Sequence, residues 1–291
     1  MGGTSAEREV SLESGANVAA ALESLGRYEV FRTVLDSDSL DAMPAGIDCA
    51  YIALHGGWGE NGGVQSALDA LGIPYTGPGA AASRLAMDKL ETKRVLDAVG
   101  VPTAQWVEIH DASELPPFGF PAVVKLPRDG SSIGVFAVRD AAEFADAAAK
   151  CLKMDPAGAL AEKYISGREA TVALIAGHPL PAIEIVTATG WYGYDEKYRS
   201  DATKYVFLDG DPLEERLAEI ALAAWKATGC RGVARVDFRV DGEGNPYVLE
   251  LNTSPGFTAH SLVPKAGMKT GLSFAQVCEK VLMAAACGEE R

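Results

Sequence analysis

The chain has 291 residues, 48% hydrophobic and 23% charged, with a net charge of −14. That length and balance suit a globular protein of two or three packed units. The excess of acid argues against a nucleic-acid or anionic-membrane surface and leaves room only for a local basic cleft.

No apolar run approaches the ~20 residues needed to span a bilayer, and the Met1-Gly2-Gly3-Thr4-Ser5 start does not read as a signal peptide. The five cysteines, Cys49, Cys151, Cys230, Cys278 and Cys287, are far apart. They show neither metal-binding nor disulfide spacing, which fits a reducing cytoplasm.

Residues 2–11 read as a Gly-rich turn entering a helix, capped by Ser11 or a neighbour, with Leu12, Val18, Ala19, Leu22 and Leu25 as its apolar stripe. Such turns follow a strand in open α/β sheets, and none is read before this one. Glu7 reads equally as a substrate contact or as a surface acid near a helix N-terminus. Residues 47–54 read as a buried parallel-type strand that delivers His55-Gly56-Gly57 at its C-terminal end, where such sheets place ligands. His55, one of four histidines, reads there as readily functional as structural. A short helix over 62–71 and the segment 73–79 close a first unit near Gly79.

Residues 80–99 read as one helix, in which Lys89 is by default an exposed lysine. Residues 120–125 read as a buried strand ending in Lys125. A Gly-Ser loop over 126–135 follows and can present amides and hydroxyls to phosphate, without a Walker pattern. Most such loops are only turns. Asp140 and Glu143 open a helix in the manner of a capping box. Glu162 and Glu169 sit seven residues apart on a strand and the loop after it. They are candidates for adenine or ribose, or else part of an exposed strand end. Residues 170–186 read as two strands around Gly177-His178, and 191–201 as a long polar, aromatic loop of the kind that is functional or mobile. Asp211-Pro212 starts a helix to Thr228. An amphipathic helix spans about 273–286.

Residues 231–256 read as a hairpin, with turn chemistry at Asp241-Gly242 and Gly244-Asn245. Strand alternation puts Arg235 and Asp237 on one face of the first strand, and Val248, Glu250 and Asn252 on one face of the second. Asp237, Glu250 and Asn252 then gather oxygen ligands suited to magnesium beside phosphate, with Arg235 for an oxyanion. Taken alone, the hairpin could equally be a solvated polar face.

In order along the chain, G-G-T-S-A-E-R-E-V-S (2–11), A-L-H-G (53–56), P-Y-T-G (74–77), M-D-K-L (87–90), G-S-S-I-G (130–134), E-K-Y-I-S-G-R-E (162–169), Y-D-E-K-Y (194–198), R-V-D (235–237) and L-E-L-N-T-S-P-G-F-T-A-H-S-L-V-P (249–264) resemble the D-alanine–D-alanine ligase family of the ATP-grasp superfamily. Each segment is modest alone; together they are specific and cover essentially the whole chain. The resemblance implies an α/β (α+β) fold of three domains: a Rossmann-like open sheet over 1–79, then α+β units over 80–166 and 167–291 that clasp ATP. It implies cytoplasmic ligation of two D-alanines through a D-alanyl phosphate, releasing ADP and phosphate, for peptidoglycan precursors. A homodimer is expected, without nucleic-acid or membrane partners.

The resemblance also implies roles. Lys89 and Lys125 would hold phosphates under a loop containing Ser131 and Ser132, with Ser131 also counted as catalytic. Glu162, Lys163 and the backbone near Ile165 would meet adenine, and Glu169 the ribose. Asp237, Glu250 and Asn252 would bind two Mg2+ ions, for which Mn2+ can substitute. Glu7 and His55 would position the first D-alanine, and Ser261 and Leu262 would receive the carboxylate of the second. Arg235 and the Gly256 backbone would stabilise the oxyanion, and Tyr198 with Lys197 would close a loop over the site.

Departures from the family pattern are Leu126 in place of proline, Tyr164 in place of tryptophan and Asn61 in place of an acid. The leading strand expected before Gly2 is also missing, so an upstream extension is expected to raise the melting temperature. Rival readings are a D-alanine–D-lactate ligase, disfavoured by Lys197-Tyr198, another ATP-grasp carboxylate–amine ligase, and a non-catalytic nucleotide-binding protein.

Overall fold

A computed structural model describes residues 1–130, 134–187 and 203–288. Two antiparallel sheets organise it. The smaller one has the order β1-β4-β2-β3, from Trp106–Ile109, Ala159–Lys163, Ala122–Lys125 and Val135–Val138. Helix α5 (Ala141–Met154) packs on it, burying Phe144 and Cys151 against Ile109 and Val124. As the sequence anticipates, Asp140 caps α5, accepting from the amides of Ala142 and Glu143.

The larger sheet has the order β10-β9-β5-β7-β8, with β6 (His178–Pro179) also on β5 (Arg168–Ile175). Its other strands are β7 (Ile183–Val186), β8 (Lys204–Phe207), β9 (Val233–Val240) and β10 (Pro246–Asn252). Helix α6 (Leu213–Ala227) covers one face, where Leu217 and Trp225 meet Val172, Leu174, Val236 and Phe238. Asp211 accepts from the Leu213 amide, as a cap should. On the other face, α1 (Arg8–Ser24) and α8 (Phe274–Met283) bury Val18, Val277 and Val281 against Ala173, Ile175 and Val233. Apolar burial of this kind contributes about 1.5–3 kcal/mol per large side chain.

Several sequence expectations are corrected. Ser11 lies inside α1 and does not cap it. Its hydroxyl donates to the Ala53 carbonyl and accepts from the Gly2 amide. The helix expected over 80–99 is two, α3 (Ala80–Met87) and α4 (Lys89–Ala98). Asp88 takes an extended conformation (ψ 103°), and its carboxylate caps α4 at the amides of Leu90 and Glu91. Helix α7 (Leu262–Lys269) was not anticipated, while α2 (Gly63–Leu71) was.

Residues 47–54 run extended but make only an isolated bridge, Ala50 with Tyr75. Ala50 exchanges hydrogen bonds with Pro74 and Thr76 on one side. The other side borders a cavity of about 380 Å³ lined by Val18, Leu22, Leu35 and Leu54, among others. Among the described residues no strand lies there to complete a ladder.

Arg231 ties the first segment to the large sheet and the chain's end. Its buried guanidinium donates to the carbonyls of Tyr75, Gly77, Ala286 and Gly288 and stacks on the Tyr75 ring. No described helix is long and apolar enough to cross a membrane.

Candidate active site

Two adjoining clefts hold the chemistry. One lies between the two sheets and is lined by Lys125, Glu162, Lys163, Ile165, Glu169 and Asp237, among others. The other lies toward α1 and the loop after β10, and is lined by Glu7, His55, Arg235, Asn252, Gly256, Ser261 and Leu262, among others. Lys89, Asp129, Gly130 and Glu250 border both. Every described residue that the sequence nominated therefore faces one of two connected spaces. Ser131, Ser132, Lys197 and Tyr198 lie outside the described residues.

The hairpin behaves as its alternation requires, with one change. Asp237 stands opposite Glu250, and Arg235 opposite Asn252. A bulge between Val248 and Glu250 shifts the register, and Val248 packs against Phe238 in the core instead of sharing the face of Glu250. Asp237 is buried: its Oδ1 accepts from Thr171 Oγ1 at 2.6 Å and from Arg235 Nε at 2.7 Å, and its Oδ2 accepts from Arg235 Nη2 at 2.7 Å. Among the described residues no three His, Cys, Asp or Glu side chains form a metal cluster. Asp237, Glu250 and the Asn252 amide are instead a mixed all-oxygen set, suited to a hard cation that keeps waters and phosphate oxygens.

Lys89 is not the exposed helix lysine of the default reading. It is buried, donates to the Asp129 carbonyl at 2.6 Å and lies 3.5 Å from Glu250. One turn later on α4, Lys93 was missed altogether. It is 2% exposed and pairs with Glu162, which also pairs with Lys125; Lys93 Nζ further donates to Thr103 Oγ1 at 2.5 Å. Burial alone would raise the Glu162 carboxyl, but Lys125 and Lys93 outweigh it and hold it below the ordinary range. Glu162 is thus a buried counter-ion between two cations and not an exposed strand end. The spacing of Lys89 and Lys93, four apart on one helix, was the available signal. Arg239 was missed too: it donates to the carbonyls of Ile165 and Gly167 and to Glu169, fixing that rim of the first cleft.

In the second cleft Glu7 is buried. A Cβ on Gly56 (φ +65°) would lie 2.8 Å from Glu7 Oε2, so the turn after residue 55 needs glycine. Both ring nitrogens of His55 are engaged, Nδ1 with the Ser254 carbonyl at 2.9 Å and Nε2 with Ser14 Oγ at 3.0 Å. Burial lowers the His55 pKa against the opposing pull of Glu7. Glu60, not foreseen, borders the same cleft, and burial together with Glu7 pushes its carboxyl up to about 8. Ser261 Oγ accepts from the Thr258 amide at 2.8 Å and would lie 2.8 Å from a Cβ on Gly256. That contact leaves the Gly256 backbone open to the cleft.

A family model described as the D-ala D-ala ligase C-terminus matches residues 95–283. The chain is 45% identical to the D-alanine–D-alanine ligase of Bordetella avium, over 98% of this chain and 93% of that one. It is 44% identical to that of Laribacter hongkongensis, over 99% and 95%. The crystal structure of the Bacillus anthracis ligase superposes with a TM-score of 0.87 at 36% identity, covering 98% of this chain and 95% of that one. A structure of the Bacillus anthracis ligase complexed with ATP gives a TM-score of 0.86 at 35% identity, covering 98% and 94%. Likeness of this degree, across nearly the whole length and in both sequence and fold, means that the chain belongs to the D-alanine–D-alanine ligase family.

Proposed function

We propose that the protein joins two D-alanine molecules at the expense of ATP, through a D-alanyl phosphate, releasing ADP and phosphate and supplying a dipeptide for peptidoglycan precursors. The observation that carries this reading is the meeting of the two clefts at Lys89 and Glu250. A nucleotide lying between the sheets would point its terminal phosphate at an amino acid held near Glu7. In this reading residues 1–79, 80–166 and 167–291 act as three units, with ATP between the second and third.

Glu162, Lys163, the backbone at Ile165 and Glu169 frame the base and ribose. Lys89 and Lys125 hold phosphates, with Ser131 and Ser132 in the covering loop. The carboxylate of the first D-alanine, whose ammonium faces Glu7, attacks the γ-phosphorus, and ADP departs. A carboxylate is a poor acyl donor; the acyl phosphate, a mixed anhydride, is a good one. The amine of the second D-alanine, with its carboxylate at Ser261 and Leu262, then attacks the carbonyl carbon. The developing oxyanion meets Arg235 and the Gly256 backbone, and phosphate leaves. Closure by Lys197 and Tyr198 keeps water from the acyl phosphate.

Asp237, Glu250 and Asn252 would hold Mg2+, or Mn2+ in its place, which offsets charge on the transferred phosphoryl group. The donor set fits, and Arg235 must release part of its bidentate grip on Asp237 for this to happen. The guanidinium would then be available to the oxyanion.

The test is release of ADP and phosphate from ATP and Mg2+, with and without D-alanine, with the dipeptide identified by mass. D-Alanine-dependent ADP formation is expected, and D-lactate should compete poorly near neutral pH. ADP formation indifferent to D-alanine, or a preference for D-lactate, would overturn the proposal.

A further inference from the structure

Ser14 is fully buried on α1 and belongs to no motif singled out above. Its hydroxyl bridges two parts of the second cleft that are distant in sequence. Oγ accepts from the Phe257 amide at 3.0 Å and lies 3.0 Å from His55 Nε2. The other ring nitrogen, Nδ1, lies 2.9 Å from the Ser254 carbonyl, which can only accept, so Nδ1 carries a hydrogen. The Phe257 amide can only donate, and it occupies a lone pair of the Ser14 hydroxyl. Among the described residues that hydroxyl has no other hydrogen-bond partner. Its proton therefore goes to Nε2, which must be bare. A protonated imidazole would donate from Nε2 to the remaining lone pair of Ser14 Oγ and leave the hydroxyl hydrogen without an acceptor, in a site almost closed to water.

We propose that Ser14 is a positioning residue that keeps His55 neutral, hydrogen on Nδ1, so that no second cation stands beside Glu7 when a substrate ammonium arrives. The same hydroxyl anchors the Phe257 amide, and with it the backbone that follows Gly256. The substrate clause rests on the proposed D-alanine ligation; the tautomer does not.

The charged groups around the ring are Glu7, which favours its protonation, and the Met1 ammonium, which opposes it. Glu60 follows a single 3-10 turn (Gly57–Gly59), Arg235 and Glu250 project from β9 and β10, and His260 borders the same cleft. A hydrogen bond donated to the neutral ring lowers a histidine pKa, and removing it raises that value.

The experiment uses the whole ligand-free chain. Nitrogen-15 NMR of the four histidines, with His55 assigned from a His55→Gln variant, follows the ring through a pH titration. The parent should keep the Nδ1–H neutral form to a lower pH than a free imidazole does. Ser14→Ala should raise the His55 pKa by about one unit, a tenfold change in protonation at a given acid pH. Ser14→Cys, which keeps the volume with a weaker donor, should fall between. Ser11→Ala, which removes a comparable buried hydroxyl from the same helix, should lower stability without moving His55. The acid limb of kcat/KM for D-alanine should shift upward by the same increment in Ser14→Ala, and stay put in Ser11→Ala.

If His55 titrates alike in the parent and in both Ser14 variants, or if Ser11→Ala moves it as far, the assignment is wrong. If the protein does not use D-alanine, the kinetic arm is silent and the NMR arm still decides.

Discussion

Replacing Glu162 with leucine keeps the volume and removes the acid from a buried charge cluster. The side chains of Glu162, Lys93 and Lys125 are 3%, 2% and 8% exposed. Without Glu162, two ammonium groups share an interior with only the more remote Asp97 acting on Lys93, and among the described residues Lys93 alone of the two keeps a hydrogen-bond partner, Thr103 Oγ1. Breaking a buried pair by deleting one member costs about 3–5 kcal/mol, because the charge left behind is not solvated. Lys125 borders the cleft between the sheets and recovers some water, which keeps the loss inside that range. At roughly 2 °C per kcal/mol for a chain of this size, the melting temperature should fall by about 6–10 °C.

The measurement is denaturant and thermal unfolding by circular dichroism without nucleotide. A second variant adds Lys93→Met and removes the stranded charge; it should regain half or more of the loss. In the parent, Lys125 and Lys93 hold the Glu162 carboxyl below its ordinary value of 4.5. Its contribution is therefore present above that value and lost as pH falls through the lower, folded one. A single variant within about 1 kcal/mol of the parent, or a double variant no better than the single, would refute the idea that the cluster is an ion-paired strut.

Asp237→Ala should abolish D-alanine-dependent ADP release while leaving the fold intact by circular dichroism, and retained turnover would remove Asp237 from the metal set. Burial, with Glu7 beside it, pushes the Glu60 carboxyl from its ordinary value of 4.5 up to about 8. The contribution of Glu60 to the stability of the ligand-free protein should therefore be full below 4.5 and fall as pH rises toward 8, with a slope approaching about 1.4 kcal/mol per pH unit. Glu60→Gln should flatten that slope in urea titrations at several pH values, and equal slopes would count against the buried neutral acid. Gly232 sits at φ +67°, and an added Cβ would lie 2.7 Å from the Gly77 amide nitrogen. Gly232→Ala should cost about 2 kcal/mol or more, since backbone on both sides cannot give way. An unchanged denaturation midpoint would contradict that close approach.

What could be read without coordinates was local in origin. Alternation put Arg235 and Asp237 on one face of the first strand and Glu250 and Asn252 on the matching face of the second, and the register sets them opposite each other. Asp140 and Asp211 announced their helices because a cap acts within one turn. The motifs in order were enough for the family, and every described residue they nominated lines one of the two clefts.

What needed the folded chain depends on partners brought together from far along it. Lys93 looked like any helix lysine until the small sheet set Glu162 beside it. Ser14 became part of the site only because Phe257 and His55, 243 and 41 positions away, close on it. The bulge that sends Val248 into the core answers to Phe238 and α6, not to its own neighbours in sequence. Local pattern decides which way a side chain points; the desolvation and pairing of a charge are decided by what the rest of the fold brings to meet it.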